Sequence, residues 1–317
     1  MRCAARTGKQ KTILTTTSFF GAGPVDWLNG LREQGFQVVL NPLERKLKEE
    51  ELIELLEKHQ PVGLLAGTEP ITRGALERVK DLLRVISRVG TGWENVDRNA
   101  AAEFGILVYR TVGVLTQSVA ELTIGLMLSA LRAIALHDRM LREGLWQKRM
   151  GSLLKGKLLG IIGFGAIGQR VAELARAFGC EVIYYDPQPK SVTWARRFPL
   201  PQLLQEADII SIHASGKERI IGSQELNFIS KRDVILVNTG RGELIDEEAL
   251  SSSLKEGRLG FACLDVFSEE PYCGPLCSLD NTILTPHIGA YALEARRLLE
   301  KAAISNLLTG LQEAGVL

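Results

Sequence analysis

Leu158-Leu159-Gly160-Ile161-Ile162-Gly163-Phe164-Gly165-Ala166-Ile167-Gly168, followed one helix later by Val182-Ile183-Tyr184-Tyr185-Asp186, is the stretch that decides the fold of this 317-residue chain. The first five residues are a short apolar run, as a parallel strand buried on both faces requires. Gly163, Gly165 and Gly168 follow with Gly-x-Gly-x-x-Gly spacing. Such glycines serve a tight turn, close approach of backbone to a pyrophosphate, and close packing of helix on strand. A helix expected from near Ala166 to about Phe178 would turn its first N–H groups, those of Ala166 and Ile167 among them, and its positive dipole end toward the phosphates. Asp186 ends the second strand, where a carboxylate bonds ribose hydroxyls and repels a 2′-phosphate, so NAD is expected rather than NADP.

The length fits two domains of ordinary size. With 45% apolar residues, 24% charged residues and a formal net charge of +1, neither disorder nor a nucleic-acid partner is indicated. Met1 to Lys11 carries Arg2, Arg6, Lys9 and Lys11 without the apolar core of a signal peptide, and no later apolar stretch reaches membrane-spanning length uninterrupted. The expectation is a cytoplasmic protein with a basic start and no membrane association. Cysteines at 3, 180, 263, 273 and 277 contain no Cys-x-x-Cys pair, which reads as reduced thiols and no metal site.

Before the glycine unit, apolar runs at Thr12 to Thr16, Gln37 to Leu40, Val62 to Ala66, Leu83 to Ser87 and Ile106 to Tyr109 alternate with helical patterns, including Val25 to Gln34 and Lys48 to His59. Thr116 to Gly144 reads as one long helical pattern without proline, apolar all round from Leu122 to Leu131. After the unit, strands are expected at Ile209 to Ile212, Val234 to Asn238, Phe261 to Asp265 and Thr282 to Leu284. Helices near Pro201 to Glu206, Glu225 to Ile229 and Asp246 to Glu256 alternate with them, as in a doubly wound α/β sheet. A last helix, Leu293 to Leu311, returns to the first lobe.

Ligands of such sheets bind beyond the carboxyl ends of the strands. Of four histidines, His59 lies in a charged helix and His137 on the long helix, whereas His213 and His287 directly follow strands. Two other strand ends carry Arg241, between Gly240 and Gly242, and Glu270, before Pro271. A nicotinamide enzyme needs a proton donor and a cation for a substrate carboxylate. An arginine binds a 2-oxo carboxylate bidentately, and a carboxylate beside a histidine orients it and favours its charged form.

With these residues in place, the chain resembles the D-isomer-specific 2-hydroxyacid dehydrogenases, most strongly the catalytic core of the D-3-phosphoglycerate dehydrogenases. The likeness runs from about Leu83 to Leu299 and is carried by Arg88 to Gly92 with Asn95-Val96-Asp97, Val119 to Thr123, the glycine unit, Asn238 to Gly242, Asp265 to Pro271 and Thr285 to Gly289. The resemblance implies that Arg241 binds and orients substrate, that His287 is the acid and base, and that Glu270 is its partner. It implies cofactor contacts at His213, Thr239, Gly240 and Asp265, and substrate contacts at Arg88, Val89 and Gly90. It further implies a Rossmann NAD-binding domain over 111–289, a smaller flavodoxin-like substrate domain from 1–110 and 290–317, a small 2-oxoacid or D-2-hydroxyacid substrate, and a homodimer.

The chain departs from that family's pattern at Glu94, where aspartate is usual, at Val112, where proline is usual, and in the short loop Ala214 to Arg219. The stretch Leu64 to Pro70 also lacks the arginine that phosphoglycerate enzymes supply for substrate phosphate. Arg88 could still serve that phosphate, so the expected activity is NAD-dependent interconversion of a small D-2-hydroxyacid and its 2-oxoacid, the 3-phosphoglycerate and 3-phosphohydroxypyruvate pair included, with hydroxypyruvate or glyoxylate reduction as the alternative. A non-catalytic NAD-binding regulator resembling the C-terminal-binding corepressors is the rival class, and a formate-dehydrogenase-like enzyme fits poorly because glutamine is usual there at the position of Glu270.

Overall fold

The computed structural model describes residues 11–18, 20 and 27–317. The basic start at Arg2, Arg6 and Lys9, together with Cys3, lies outside the described residues. The chain divides into two compact units, Met1–Leu115 with Ala292–Leu317, and Thr116–Tyr291.

In the first unit β1 (Thr12–Thr15), α1 (Trp27–Glu33), β2 (Gln37–Val39), α2 (Glu49–His59), β3 (Gly63–Ala66), α3 (Arg73–Glu77), β4 (Val85–Arg88), α4 (Arg98–Glu103) and β5 (Leu107–Arg110) alternate strand with helix. The strands form a parallel sheet in the order β2-β1-β3-β4-β5, the flavodoxin-like order. Strands β1, β3 and β4 are buried along their whole length, which explains why they read as continuous apolar runs rather than alternating ones.

The second unit opens with α5 (Thr116–Leu131) and α6 (Ile134–Arg142). Here the structure corrects the expectation of one helix: the two segments are bent by 62°. Ser152 N–H donates to the Leu131 carbonyl at 2.9 Å, replacing the bond that a continuing helix would make, and Ala133 takes a left-handed conformation at the break. Then β6 (Leu158–Ile162), α7 (Ala166–Ala177), β7 (Glu181–Tyr185), β8 (Arg196–Arg197), α8 (Leu200–Glu206), β9 (Ile209–Ile212), α9 (Ser223–Asn227), β10 (Ile235–Asn238), α10 (Glu247–Lys255), β11 (Phe261–Leu264) and β12 (Thr282–Leu284) build a seven-stranded parallel sheet ordered β12-β11-β10-β9-β6-β7-β8. The chain leaves β6 toward β7 on one side and returns to β9 on the other. That reversal opens a crevice at the carboxyl ends of β6 and β9, the place where doubly wound sheets bind ligands.

The final helix, α11 (Leu293–Glu313), belongs to the first unit. Its close approach to that sheet needs small residues: a Cβ on Gly63 would stand 2.8 Å from Leu307, and one on Gly310 would stand 2.7 Å from Tyr109 and from Val85. Among the described residues no single helix is long and apolar enough to cross a membrane.

Candidate active site

At the end of β6 the three glycines do three different things. Gly163 has φ +89°, and a Cβ there would lie 2.4 Å from the Ala214 backbone, so this position holds the turn against the strand end of β9. A Cβ on Gly168 would come within 2.2 Å of the Gly163 carbonyl, which makes Gly168 the residue that seats α7. A Cβ on Gly165 meets no atom within 4 Å, and Gly165 begins α7 with no side chain capping its first N–H groups. Open space above uncapped helical N–H groups suits a bound pyrophosphate.

Asp186, 9% exposed, closes this turn. Its Oδ2 accepts Phe164 N–H at 2.9 Å, and Oδ1 accepts Gln188 N–H at 2.9 Å. The carboxylate is therefore fixed beside the glycine turn, as a ribose contact requires. Phe164 itself is fully buried and stacks on Tyr184 at 4.2 Å.

At the end of β9, His213 sits in a one-way chain of hydrogen bonds. Thr123 Oγ1 donates to the Val119 carbonyl at 2.7 Å and is 3.0 Å from Thr239 Oγ1, which is 3.3 Å from His213 Nδ1. The Thr123 proton being committed, Thr239 donates to Thr123, and His213 Nδ1–H donates to Thr239. His213 Nε2 then accepts the Ser211 hydroxyl at 2.9 Å. Burial pushes the His213 pKa down to about 3, so the ring is neutral at pH 7 and its tautomer is set. Both nitrogens are used within the unit, which sets His213 apart from an acid/base. Ser211 and Thr123 escaped sequence reasoning because their role depends on this side-chain chain across the sheet.

The ends of the next three strands, β10, β11 and β12, carry the catalytic candidates Arg241, Glu270 and His287. After β10, Asn238 Oδ1 accepts Gly240 N–H at 3.0 Å and its amide donates to the Arg241 carbonyl at 2.9 Å, clamping the turn that carries Thr239, Gly240 and Arg241. Arg241 Nη1 donates to the Gly240 carbonyl at 2.8 Å. A Cβ on Gly242 would lie 1.8 Å from the backbone of Phe267, so the loop of Arg241 touches the loop of Glu270 at that glycine. Phe267 N–H in turn donates to Glu270 Oε1 at 3.2 Å.

After β12, His287 Nδ1 lies 3.1 and 3.0 Å from the two Glu270 carboxylate oxygens. His287 has φ +54°, an uncommon conformation for a residue with a Cβ. Asp265 holds the loop in that shape. It is 1% exposed; Oδ1 accepts the Thr285 hydroxyl at 2.6 Å and Ile288 N–H at 2.8 Å, and Oδ2 accepts Gly289 N–H at 2.9 Å. Burial pushes the Asp265 carboxyl up, and the three donors oppose that shift. All three of these bonds go to the His287 loop, a positioning task that the spacing of the sequence did not reveal.

In the first unit, Arg88, Val89 and Gly90 follow β4. Arg88 is 8% exposed, its Nε donates to Asn95 Oδ1 at 3.4 Å, and its guanidinium folds back over Gly90, where φ is +151° and a Cβ would lie 2.4 Å from Arg88 Nη1. Beside it Glu69 is fully buried, accepting the Thr16 hydroxyl and, at 3.1 Å, Gly67 N–H. Burial pushes the Glu69 carboxyl up, opposed by the Thr16 bond and by the Arg88 charge.

Residues 124–289 match the family profile described as D-isomer specific 2-hydroxyacid dehydrogenase, NAD binding domain. The chain belongs to the D-isomer specific 2-hydroxyacid dehydrogenase family. Its cofactor is accordingly a nicotinamide dinucleotide. It is 42% identical over 261 residues to a D-3-phosphoglycerate dehydrogenase of Methanocaldococcus jannaschii, covering 79% of this chain and 49% of that protein. The chain thus spans about half the length of that relative. It is 40% identical over 281 residues to a hydroxypyruvate reductase of Thermotoga maritima, covering 84% of this chain and 91% of the reductase. The crystal structure of the TT0316 protein of Thermus thermophilus shares the fold of this family member with a TM-score of 0.87 at 36% identity, over 95% of this chain and 97% of that one.

Proposed function

We propose that this chain interconverts a small D-2-hydroxyacid and its 2-oxoacid with NAD. The observation that carries the reading is the pairing of His287 with Glu270, on a loop packed at Gly242 against the loop of Arg241. Arg241 binds the substrate carboxylate and orients the carbonyl. The reduced nicotinamide, when bound, supplies hydride to C2. Glu270 accepts His287 Nδ1–H, which leaves Nε2 as the atom that gives a proton to the forming alkoxide and takes it back in oxidation. Gly163, Gly165, Ala166, Ile167 and Gly168 hold the pyrophosphate and Asp186 the adenosine ribose. Thr239 and Gly240 lie on the nicotinamide side, with His213 beneath them keeping Thr239 in place.

We assign the substrate side to Arg88, Val89 and Gly90 of the first unit, with residues 1–110 and 290–317 as the substrate domain and 111–289 as the NAD-binding domain. The stretch Leu64 to Pro70, which begins in β3 and runs past its end, carries no arginine to attract a substrate phosphate, which favours hydroxypyruvate or glyoxylate over a phosphorylated substrate. A panel of 3-phosphohydroxypyruvate, hydroxypyruvate and glyoxylate with NADH tests both statements. Turnover of the unphosphorylated acids with the higher kcat/KM is expected; NADH binding with no turnover of any 2-oxoacid would instead mean a regulator.

The chain is further assigned to the cytoplasm, in keeping with unpaired thiols at Cys180, Cys263, Cys273 and Cys277, and to a homodimer. The support for a dimer is a run of exposed apolar side chains on and after α6: Leu141, Trp146 at 80% exposure, Met150 at 100% and Leu153.

A further inference from the structure

Glu69, in the loop after β3, is a fully buried acid that the fold alone does not require. Its Oε1 accepts both of its donors, the Thr16 hydroxyl and Gly67 N–H. Oε2 is buried with no hydrogen-bond partner, in space that Gly67 leaves open: a Cβ on Gly67 would stand 2.6 Å from it. A glutamine would satisfy the same two donors through its one carbonyl oxygen, without the cost of burying a charge. What glutamate adds is that charge, and Arg88 is a cation within its reach.

Arg88 ends β4, in register with Ala66 at the end of β3. Its Nη1 donates to the Val89 carbonyl and its Nε to Asn95 Oδ1 at 3.4 Å. The amide of the same Asn95 donates to the Gly67 carbonyl at 3.2 Å and to the Glu69 carbonyl at 2.7 Å, which ties the loop of Glu69 to the guanidinium of Arg88. Because that guanidinium folds back over Gly90, where φ is +151°, the shape of the Arg88–Gly90 segment depends on where the charge is held.

We infer that Glu69 is a positioning residue for substrate binding: its carboxylate holds the Arg88 guanidinium against the Val89 carbonyl and so presets the segment that receives the 2-oxoacid. This rests on the substrate-side assignment of Arg88, Val89 and Gly90 made above. Glu69 itself touches no substrate and acts through Arg88. A long arginine side chain samples many arrangements, and an opposing charge in a buried setting, together with the Asn95 bond, narrows them before substrate arrives. Loss of that charge therefore weakens substrate binding and leaves the chemical step, carried by residues of the other unit, largely as it was.

The test is steady-state kinetics at saturating NADH with whichever of glyoxylate, hydroxypyruvate and 3-phosphohydroxypyruvate gives wild type its highest kcat/KM. Glu69→Gln is expected to raise KM about tenfold, to keep kcat within about threefold, and to leave the NADH dissociation constant and the melting temperature near those of wild type. Arg88→Gln is expected to raise KM at least as much, and the double variant no further than Arg88→Gln alone, because Glu69 then has nothing to hold. An unchanged KM in Glu69→Gln beside a raised one in Arg88→Gln overturns the inference, as does a double variant in which the two effects multiply, the mark of an acid that serves the fold alone. An unchanged KM in Arg88→Gln defeats the substrate-side assignment, and the inference with it. Should Glu69→Gln fail to fold, Thr16→Val, which deprives Oε1 of one of its two donors, is expected to raise KM by a smaller factor and again to add nothing to Arg88→Gln; an unchanged KM there overturns the inference.

Discussion

His287 Nδ1 stands 3.1 and 3.0 Å from both carboxylate oxygens of Glu270, whose Oε1 is itself held by Phe267 N–H. Glu270 therefore sets the tautomer and aim of the imidazole. Removing His287 should leave the nucleotide turn untouched, so His287→Ala is expected to bind NADH normally and lose about two to four orders of magnitude in kcat. Glu270→Gln offers Nδ1 a donor as well as an acceptor and so admits the wrong tautomer; about one to three orders of magnitude should be lost from kcat. Stopped-flow turnover of the best 2-oxoacid measures both, and wild-type rates in either variant would remove the pair from the chemistry.

The glycines of the nucleotide turn should separate by their surroundings. Gly165 faces open space, so Gly165→Val is expected to fold and to lose NADH binding. Gly168→Val would collide with the Gly163 carbonyl and should melt at a clearly lower temperature. Circular dichroism melts beside NADH titrations distinguish the two, and full affinity in a folded Gly165→Val would place the cofactor elsewhere.

Asp265 satisfies one hydroxyl and two backbone N–H groups of the His287 loop from a buried position. An asparagine supplies one acceptor oxygen and turns an amide toward those donors. Asp265→Asn is expected to cost about 1–3 kcal/mol in urea denaturation and to lower kcat more than it raises KM, because the loop that aims His287 loosens. A variant with unchanged stability and kcat would dismiss the clamp.

His213 is held neutral, with its pKa pushed by burial from 6.5 to about 3. The unfolded chain takes up a proton near pH 6.5 that the folded protein refuses until about pH 3. The contribution to stability is therefore complete above pH 6.5 and is lost as pH falls toward 3, by at most about 1.4 kcal/mol per pH unit. His213→Asn should flatten the pH dependence of urea midpoints between pH 7 and 5. Parallel curves for wild type and variant would contradict the neutral chain from Ser211 to Val119.

Trp146 and Met150 expose most of their surface. If they form the face between two copies, Trp146→Glu with Met150→Glu should sediment as a folded monomer where wild type sediments as a dimer. An unaltered sedimentation coefficient would move the interface elsewhere.

Local pattern made much of this legible in the sequence. The strand Leu158 to Ile162, the glycine spacing and Asp186 are read within one β-α-β unit, where period and residue type determine backbone geometry directly. The strand ends bearing Arg241, Glu270 and His287 were readable for the same reason, since each directly follows or lies in the loop after an apolar run. Tertiary structure decided what depends on partners distant in the chain. The break at Ala133 arises because Ser152 claims the Leu131 carbonyl. Asp265, expected from the resemblance as a cofactor contact, bonds the His287 loop, and the His213 tautomer follows from a Thr123 proton committed to Val119. No helical or strand period encodes which of two oxygens a donor will meet, because that choice is made by side-chain directions once the sheet has brought its strand ends side by side.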